Sequence, residues 1–148
     1  MSSLRERALG LLARREHSRR ELQQKLKSAD NSEQIQQLLH DLAEENLQSD
    51  ARFAESFIGS RLRAGFGPLK IEYELVQRGI NKELIYEFMP QDDDFWRESL
   101  QTLWDKKYHA ILPRDEKSFA RQSRFLVQRG FPPSMVTKFL SSMKKRNA

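Results

Sequence analysis

Apolar residues recur along this chain at helical spacing. Leu4, Ala8, Leu11 and Leu12 make one stripe, Leu22 and Leu26 a shorter second, and Ile35, Leu38, Leu39 and Leu42 a third. Phe53, Ala54, Phe57, Ile58 and Leu62 follow, then Ile71 and Leu75, then Leu84, Ile85, Phe88 and Met89. The last third brings Phe95, Trp96, Leu100, Leu103 and Trp104, then Phe119, Leu126 and Val127, then Met135, Val136, Phe139, Leu140 and Met143. Residues three and four apart share a helix face, so each group predicts an amphipathic helix. Sustained alternation and Asn-Gly or Asp-Gly hairpin turns are both missing, so no strand is expected. The punctuation agrees. Ser18-Arg19-Arg20-Glu21 is a capping box, in which the serine oxygen accepts from the third amide while Glu21 reaches back. Asn81 and Ser134 are candidate N-caps. Pro68, after Gly67, suits a first helical position, and Gly79 and Gly130 stand where helices should stop.

The pattern repeats. Val76-Gln77-Arg78-Gly79 returns as Val127-Gln128-Arg129-Gly130, an offset of 51. The apolar frame moves with it: Leu75 matches Leu126, Ile80 matches Phe131, Ile85 matches Val136 and Phe88 matches Phe139. Leu22 and Leu26 echo Ile71 and Leu75 at an offset of 49. The expected fold is therefore all-α: three tandem three-helix repeats, 4–47, 50–90 and 93–144, in an elongated, curved array. The loops 46–49 and 90–94 would join them. Each helix is too short to be stable alone, so neighbouring repeats must cover one another.

Composition supports a thin core. Of 148 residues, 38% are hydrophobic and 32% charged, against roughly 45–50% and 25% in ordinary domains. There is no cysteine, which excludes disulfides and thiolate chemistry. No apolar run approaches the roughly 18 residues that span a bilayer, and Met1 to Arg7 lacks the apolar core of a signal peptide. A soluble cytoplasmic protein, with no membrane partner, is expected.

The net charge of +5 is unevenly spread. Residues 1–27 carry eight bases and three acids, 28–49 no base and five acids, 50–94 six bases and nine acids, and 95–148 twelve bases and four acids. Basic ends with acid between them suggest a polarised surface for an anionic partner. Arg14, Arg15, Arg19, Arg20 and Lys25 cluster at the first helix junction, and Arg52, Arg61 and Arg63 lie on or near the next long helix. Lys70 and Arg78 have repeat equivalents in Arg121 and Arg129, with Arg124 between them. Arginine outnumbers lysine, which favours forked contacts to carboxylate or phosphate. Phe66, flanked by Gly65 and Gly67, is either a partner anchor or a ring tucked back against its own helix. Trp96 and Trp104 are read as core.

Catalytic chemistry finds little support. His17, His40 and His109 are scattered, without metal-ligand spacing. Gly65-Phe66-Gly67-Pro68 lacks the Gly-Lys-Ser/Thr ending of a phosphate loop. Asp92-Asp93-Asp94 is better suited to capping a helix than to holding a cation. Neither an enzyme nor a cofactor is expected.

Four ordered motifs resemble the RecX family. Leu12-Ala13-Arg14-Arg15-Glu16-His17-Ser18-Arg19-Arg20-Glu21-Leu22, with Lys25-Leu26, is similar to its opening. Leu47-Gln48-Ser49-Asp50-Ala51-Arg52-Phe53-Ala54 is similar to its next motif, with Ser49 in place of an aspartate. Arg61-Leu62-Arg63-Ala64-Gly65-Phe66-Gly67-Pro68 and Ile71-Glu72-Tyr73-Glu74-Leu75 resemble its core, and Gln77-Arg78-Gly79-Ile80 its ending. The resemblance is strong over 8–90 and looser over 93–144. It implies tandem three-helix repeats without catalytic residues. It also implies a monomer that binds the RecA filament, lodges in its groove and inhibits strand exchange, ATP hydrolysis and coprotease activity. Some members also bind single- or double-stranded DNA, so the competing expectation is a DNA-binding protein that needs no RecA. Arg52, Arg61, Arg63, Lys70 and Arg78 are the first choices for contacts, with Arg52 the one most open to a structural role.

Overall fold

The computed structural model describes residues 3–28 and 30–146, with side chains as far as Lys144. Met1 and Ser2 of the polar N-terminal segment lie outside the described residues. These contain nine helices and no strand: α1 (Leu4–Arg14), α2 (Arg19–Leu26), α3 (Ser32–Glu44), α4 (Asp50–Arg63), α5 (Pro68–Gln77), α6 (Lys82–Phe88), α7 (Asp93–Tyr108), α8 (Glu116–Gln128) and α9 (Pro133–Arg146). They fall into two compact units. The first takes the chain up to Phe57 together with Leu75–Phe88, and the second takes Ile58–Glu74 and everything from Met89 on. Of the three boundaries, two fall inside helices, α4 and α5, and the third at the end of α6.

In the first unit, Ala8, Leu22, Leu26, Ile35, Leu39 and Leu42 form a core cluster, with Leu4, Leu9, Leu11, Leu12 and Leu38 packed against it. All of these but Leu9 are positions that the helical spacing picks out. Ser3 caps α1 by accepting from the Glu6 amide. Ser18 and Glu21 form the expected capping box, and Asn81 Oδ1 accepts from the Leu84 amide at the start of α6.

In the second unit the two tryptophans are core, 4% and 1% exposed. The Trp96 indole donates to the Pro90 carbonyl. The Trp104 indole donates at 2.8 Å to Gln122, whose amide donates in turn to the Ile111 carbonyl at 3.0 Å. Gln122 is a buried polar residue that apolar patterning cannot find; at the offset of 51 it replaces Ile71. Phe95 is 38% exposed, because it lies a helical step away from the Trp96, Leu100 and Leu103 stripe.

Three sequence expectations are corrected. Ser134 lies inside α9, which starts at Pro133, where the ring's preset φ and missing N–H favour a first-turn residue. Asp93 and Asp94 belong to α7 rather than to a loop, and Asp92 caps it by accepting from the Asp94 amide. Val127, counted as apolar core, is 37% exposed, as is its counterpart Val76 at 42%.

The repeat itself is preserved in detail. Leu75 and Leu126 are both fully buried, and Ile80 and Phe131 are 4% and 0% exposed. Gly79 and Gly130 take φ of 82° and 106°. In each turn the amide beyond the glycine returns to the carbonyl five residues back: Ile80 to Leu75, and Phe131 to Leu126. This is the left-handed helix stop that glycine allows. In the second unit the Gly67 amide donates to the Arg129 carbonyl at 2.8 Å and the Leu69 amide to the Gly130 carbonyl at 2.9 Å. A Cβ on Gly67 would stand 2.5 Å from the Gly130 carbonyl carbon.

Gly130→Ala should cost about 2–4 kcal/mol, since it combines left-handed strain with overlap against the Lys70 backbone. Gly10→Ala, in a helix with nothing near the added carbon, should stabilise by about 0.5–1 kcal/mol. Urea unfolding of the two variants checks both signs.

Candidate partner-binding surfaces

In the first unit, most of the basic cluster at the α1–α2 junction is occupied by the fold. Glu21 receives Arg15 through both carboxylate oxygens, at 3.1 and 3.3 Å, and the Ser18 amide at 3.1 Å. Arg78 Nε lies 3.6 Å from the same carboxylate. Burial alone would raise the Glu21 pKa, but the Arg15 and Ser18 hydrogen bonds outweigh it and hold the group below the usual carboxylate range. Arg20 donates to the Val76 and Gln77 carbonyls at the end of α5, where a helix leaves acceptors unpaired. Arg19 uses its backbone amide, which donates to Asp50 at 2.9 Å. Arg52 bonds Glu16 at 3.0 Å and both the side chain and the carbonyl of Asn46, at 2.8 and 2.9 Å. Arg14 is exposed. Lys25 meets His17.

His17 is 2% exposed. Its Nε2 lies 3.0 Å from the Lys25 ammonium, and its Nδ1 3.0 Å from the Arg15 carbonyl. An ammonium only donates, so Nε2 accepts, and Nδ1 carries the proton given to the carbonyl. Burial pushes the ring's pKa down; the Arg15 carbonyl opposes that shift, and the Arg15 and Lys25 charges reinforce it.

In the second unit Phe66 is the centre of a cationic group. Arg129 lies over the ring at 4.2 Å, with Lys70 at 5.2 Å and Arg61 at 5.5 Å. Arg129 also donates to the Ala64 carbonyl at 2.6 Å, and Arg61 is bonded by both arms to Glu74. The ring is half-buried. The equivalent arginine in the first unit, Arg78, lies 4.7 Å over Phe57. The recurrence of these two arginines thus has an internal cause, a guanidinium on an aromatic face beside a helix stop. Arg63, Arg121 and Arg124 are exposed. Among the described residues, no three His, Cys, Asp or Glu side chains could hold a metal ion together. Among the described residues, no helix is long and apolar enough to cross a membrane.

Models of the first, second and third three-helix domains of RecX match residues 5–42, 49–89 and 96–140, in that order. The chain belongs to the RecX family. Regulatory protein RecX of Pseudomonas putida (strain W619) is 44% identical over 140 residues, covering 94% of this chain and 90% of its own. Regulatory protein RecX of Ectopseudomonas mendocina (strain ymp) is 43% identical over 139 residues, or 93% of each chain. The crystal structure of RecX from Lactobacillus salivarius shares the fold, with a TM-score of 0.75 at 21% identity over 95% of this chain and 94% of that one. A second structure, of a regulatory protein RecX, gives 0.76 at 22% over 92% and 70%. The RecX architecture of tandem three-helix repeats is therefore this chain's fold.

Arg52→Ala should destabilise by about 1–2 kcal/mol through its lost charged hydrogen bonds, while Arg14→Ala should stay within about 0.5 kcal/mol; urea titration separates them. For His17 the sign is set by burial. Above the ordinary histidine pKa of 6.5 the ring is neutral folded or unfolded. As pH falls below it, the unfolded chain binds a proton that the fold resists, so stability drops from there toward the lower folded pKa. Unfolding at pH 7.5 and 5.5 should show this loss, and His17→Gln should reduce it.

Proposed function

We propose that this RecX-family protein regulates the RecA recombinase by binding the RecA filament on DNA. Lodged in the filament groove, it inhibits strand exchange, ATP hydrolysis and coprotease activity by occupying space that a second DNA or a cleavable protein needs. It acts as a cytoplasmic monomer and performs no chemistry of its own. The observation that carries this reading is the ordered match of all three RecX domains along one chain. The repeats are taken as 4–47, 50–90 and 93–144.

The side-chain geometry supports a narrower contact set than the basic residues at large. Arg52, Arg61 and Arg78 already engage Glu16, Glu74 and Glu21. A charge held by an internal carboxylate has less to offer an external one. Arg63 and Lys70 are exposed and take the leading contact role. Arg14 and Lys25 are second.

The test is RecA ATPase on single-stranded DNA with increasing amounts of this protein. The wild type should inhibit. Arg63→Glu combined with Lys70→Glu, with helicity unchanged, should raise the half-inhibitory concentration about tenfold or more, since reversing a contact charge costs on the order of 1.4 kcal/mol or above. Undiminished inhibition removes these two residues from the interface. Absence of wild-type inhibition at all concentrations overturns the RecA assignment.

A further inference from the structure

Among the described residues, one lysine ammonium is hydrogen-bonded to a ring nitrogen. Lys25 stands in the last turn of α2, one turn beyond Glu21. It is exposed, yet its Nζ lies 3.0 Å from Nε2 of the buried His17. Among the described residues, no carboxylate lies in ion-pair reach of this ammonium. A carboxylate partner would hold the proton on the nitrogen, because it favours the charged form. A neutral imidazole does the reverse, since its lone pair can take the proton away.

The fold fixes the ring for that role. The Nδ1 proton is committed to the Arg15 carbonyl at 3.0 Å, so the lone pair that faces Lys25 belongs to Nε2. The backbone around the ring is held as well. Ser18 and Glu21 close their capping box directly after it, and the His17 carbonyl accepts from Gln48 at 3.3 Å. Burial favours the neutral ring, and the Arg15 and Lys25 charges act in the same direction, against the Arg15 carbonyl and Glu21. At neutral pH the base is therefore in its accepting form.

An ammonium is no nucleophile, and at pH 7 fewer than about one ordinary lysine in a thousand is a free amine. A base within hydrogen-bond reach lets the proton leave as the nitrogen reacts. The surroundings select the electrophile. Residues 1–27 carry eight bases against three acids, a balance that draws small anions. An acyl phosphate is a small dianion with an activated carbonyl.

We propose that Lys25 is an acylation site for acyl phosphates, with His17 as the base that takes its proton. The Lys25 ammonium gives one proton to His17 Nε2. The freed amine attacks the acyl carbon and forms the C–N bond. The bond from that carbon to the phosphate oxygen breaks, and its electron pair leaves with the phosphate. A second proton from the nitrogen goes to the phosphate, giving hydrogen phosphate, and the imidazolium returns its proton to water. The product is a neutral amide whose remaining N–H can still donate to Nε2. Acylation thus removes one cation from the basic end and keeps the hydrogen bond that seats the ring. Lys25 is consumed once, so this is a modification of the protein and not a turnover. It stands or falls apart from the filament reading.

The experiment incubates the folded protein with acetyl phosphate at neutral pH for short times. Cleavage at glutamate and tandem mass spectrometry then follow each lysine. Lys25 should be acetylated about tenfold faster than the exposed Lys27, Lys82 and Lys138, still below the hundredfold of a positioned base in a built active site. His17→Gln offers Lys25 an amide oxygen that accepts a hydrogen bond but cannot take the proton. It should bring Lys25 down to the rate of those three and leave theirs unchanged, with circular dichroism confirming the fold. The advantage of Lys25 should also vanish in wild type held in urea above its unfolding transition, a comparison that needs no variant. The proposal is overturned if Lys25 reacts no faster than the other three in the folded wild type. It is equally overturned if the advantage survives in folded His17→Gln or in the unfolded chain.

Discussion

A helix that ends at a left-handed glycine, with a buried apolar residue next in line, is the constraint on which these repeats depend. Gly79 and Gly130 turn the chain sharply enough that Ile80 and Phe131 enter the core directly after α5 and α8. Without the turn, the following helix would leave at another angle, and its stripe of Ile85 or Val136 would miss the core. The arginine before each glycine lies over a phenylalanine, Arg78 on Phe57 and Arg129 on Phe66. Backbone freedom, apolar burial and a cation on a ring meet at three consecutive residues, 78–80 and again 129–131. That concentration gives a physical reason for the arginine and glycine of the repeated Val-Gln-Arg-Gly to recur 51 positions apart.

The fold was legible because helical periodicity is a property of spacing alone. Leu22, Leu26, Ile35, Leu39 and Leu42 announce their burial without knowledge of any partner. What stayed hidden depends on tertiary neighbours. Gln122 reads as a surface residue until it bridges Trp104 and the Ile111 carbonyl. His17 reads as scattered until α2 brings Lys25 against it. Val127 reads as core because its chemistry is apolar, yet its place on the helix turns it outward. Helix starts were harder than helix stops: proline displaced Ser134 as the first-turn signal, whereas left-handed glycines have few competitors.

The surfaces were less legible, because charge serves two purposes that composition cannot separate. An arginine may hold an internal carboxylate or wait for an external one, and only geometry tells which. Arg52, the contact candidate most open to a structural role, ties Glu16 to Asn46, while the neighbouring Asp50 takes the Arg19 amide. Phe66 at its glycine-flanked turn invited two readings. The structure stacks three cations around the half-buried ring. Once such internal pairs are set aside, the remaining cations stand out more clearly than net charge suggests.

The two hydrogen bonds from Gly67 and Leu69 to Arg129 and Gly130 also bear on how the protein is made. Their donors leave the ribosome about sixty residues before their acceptors, a gap of 62 and 61 positions by residue number. The α1–α3 cluster closes over short chain distances and can assemble while synthesis continues. The second unit has to wait until residues 129 and 130 have been made. In the interval its apolar side chains are the ones that a chaperone would meet.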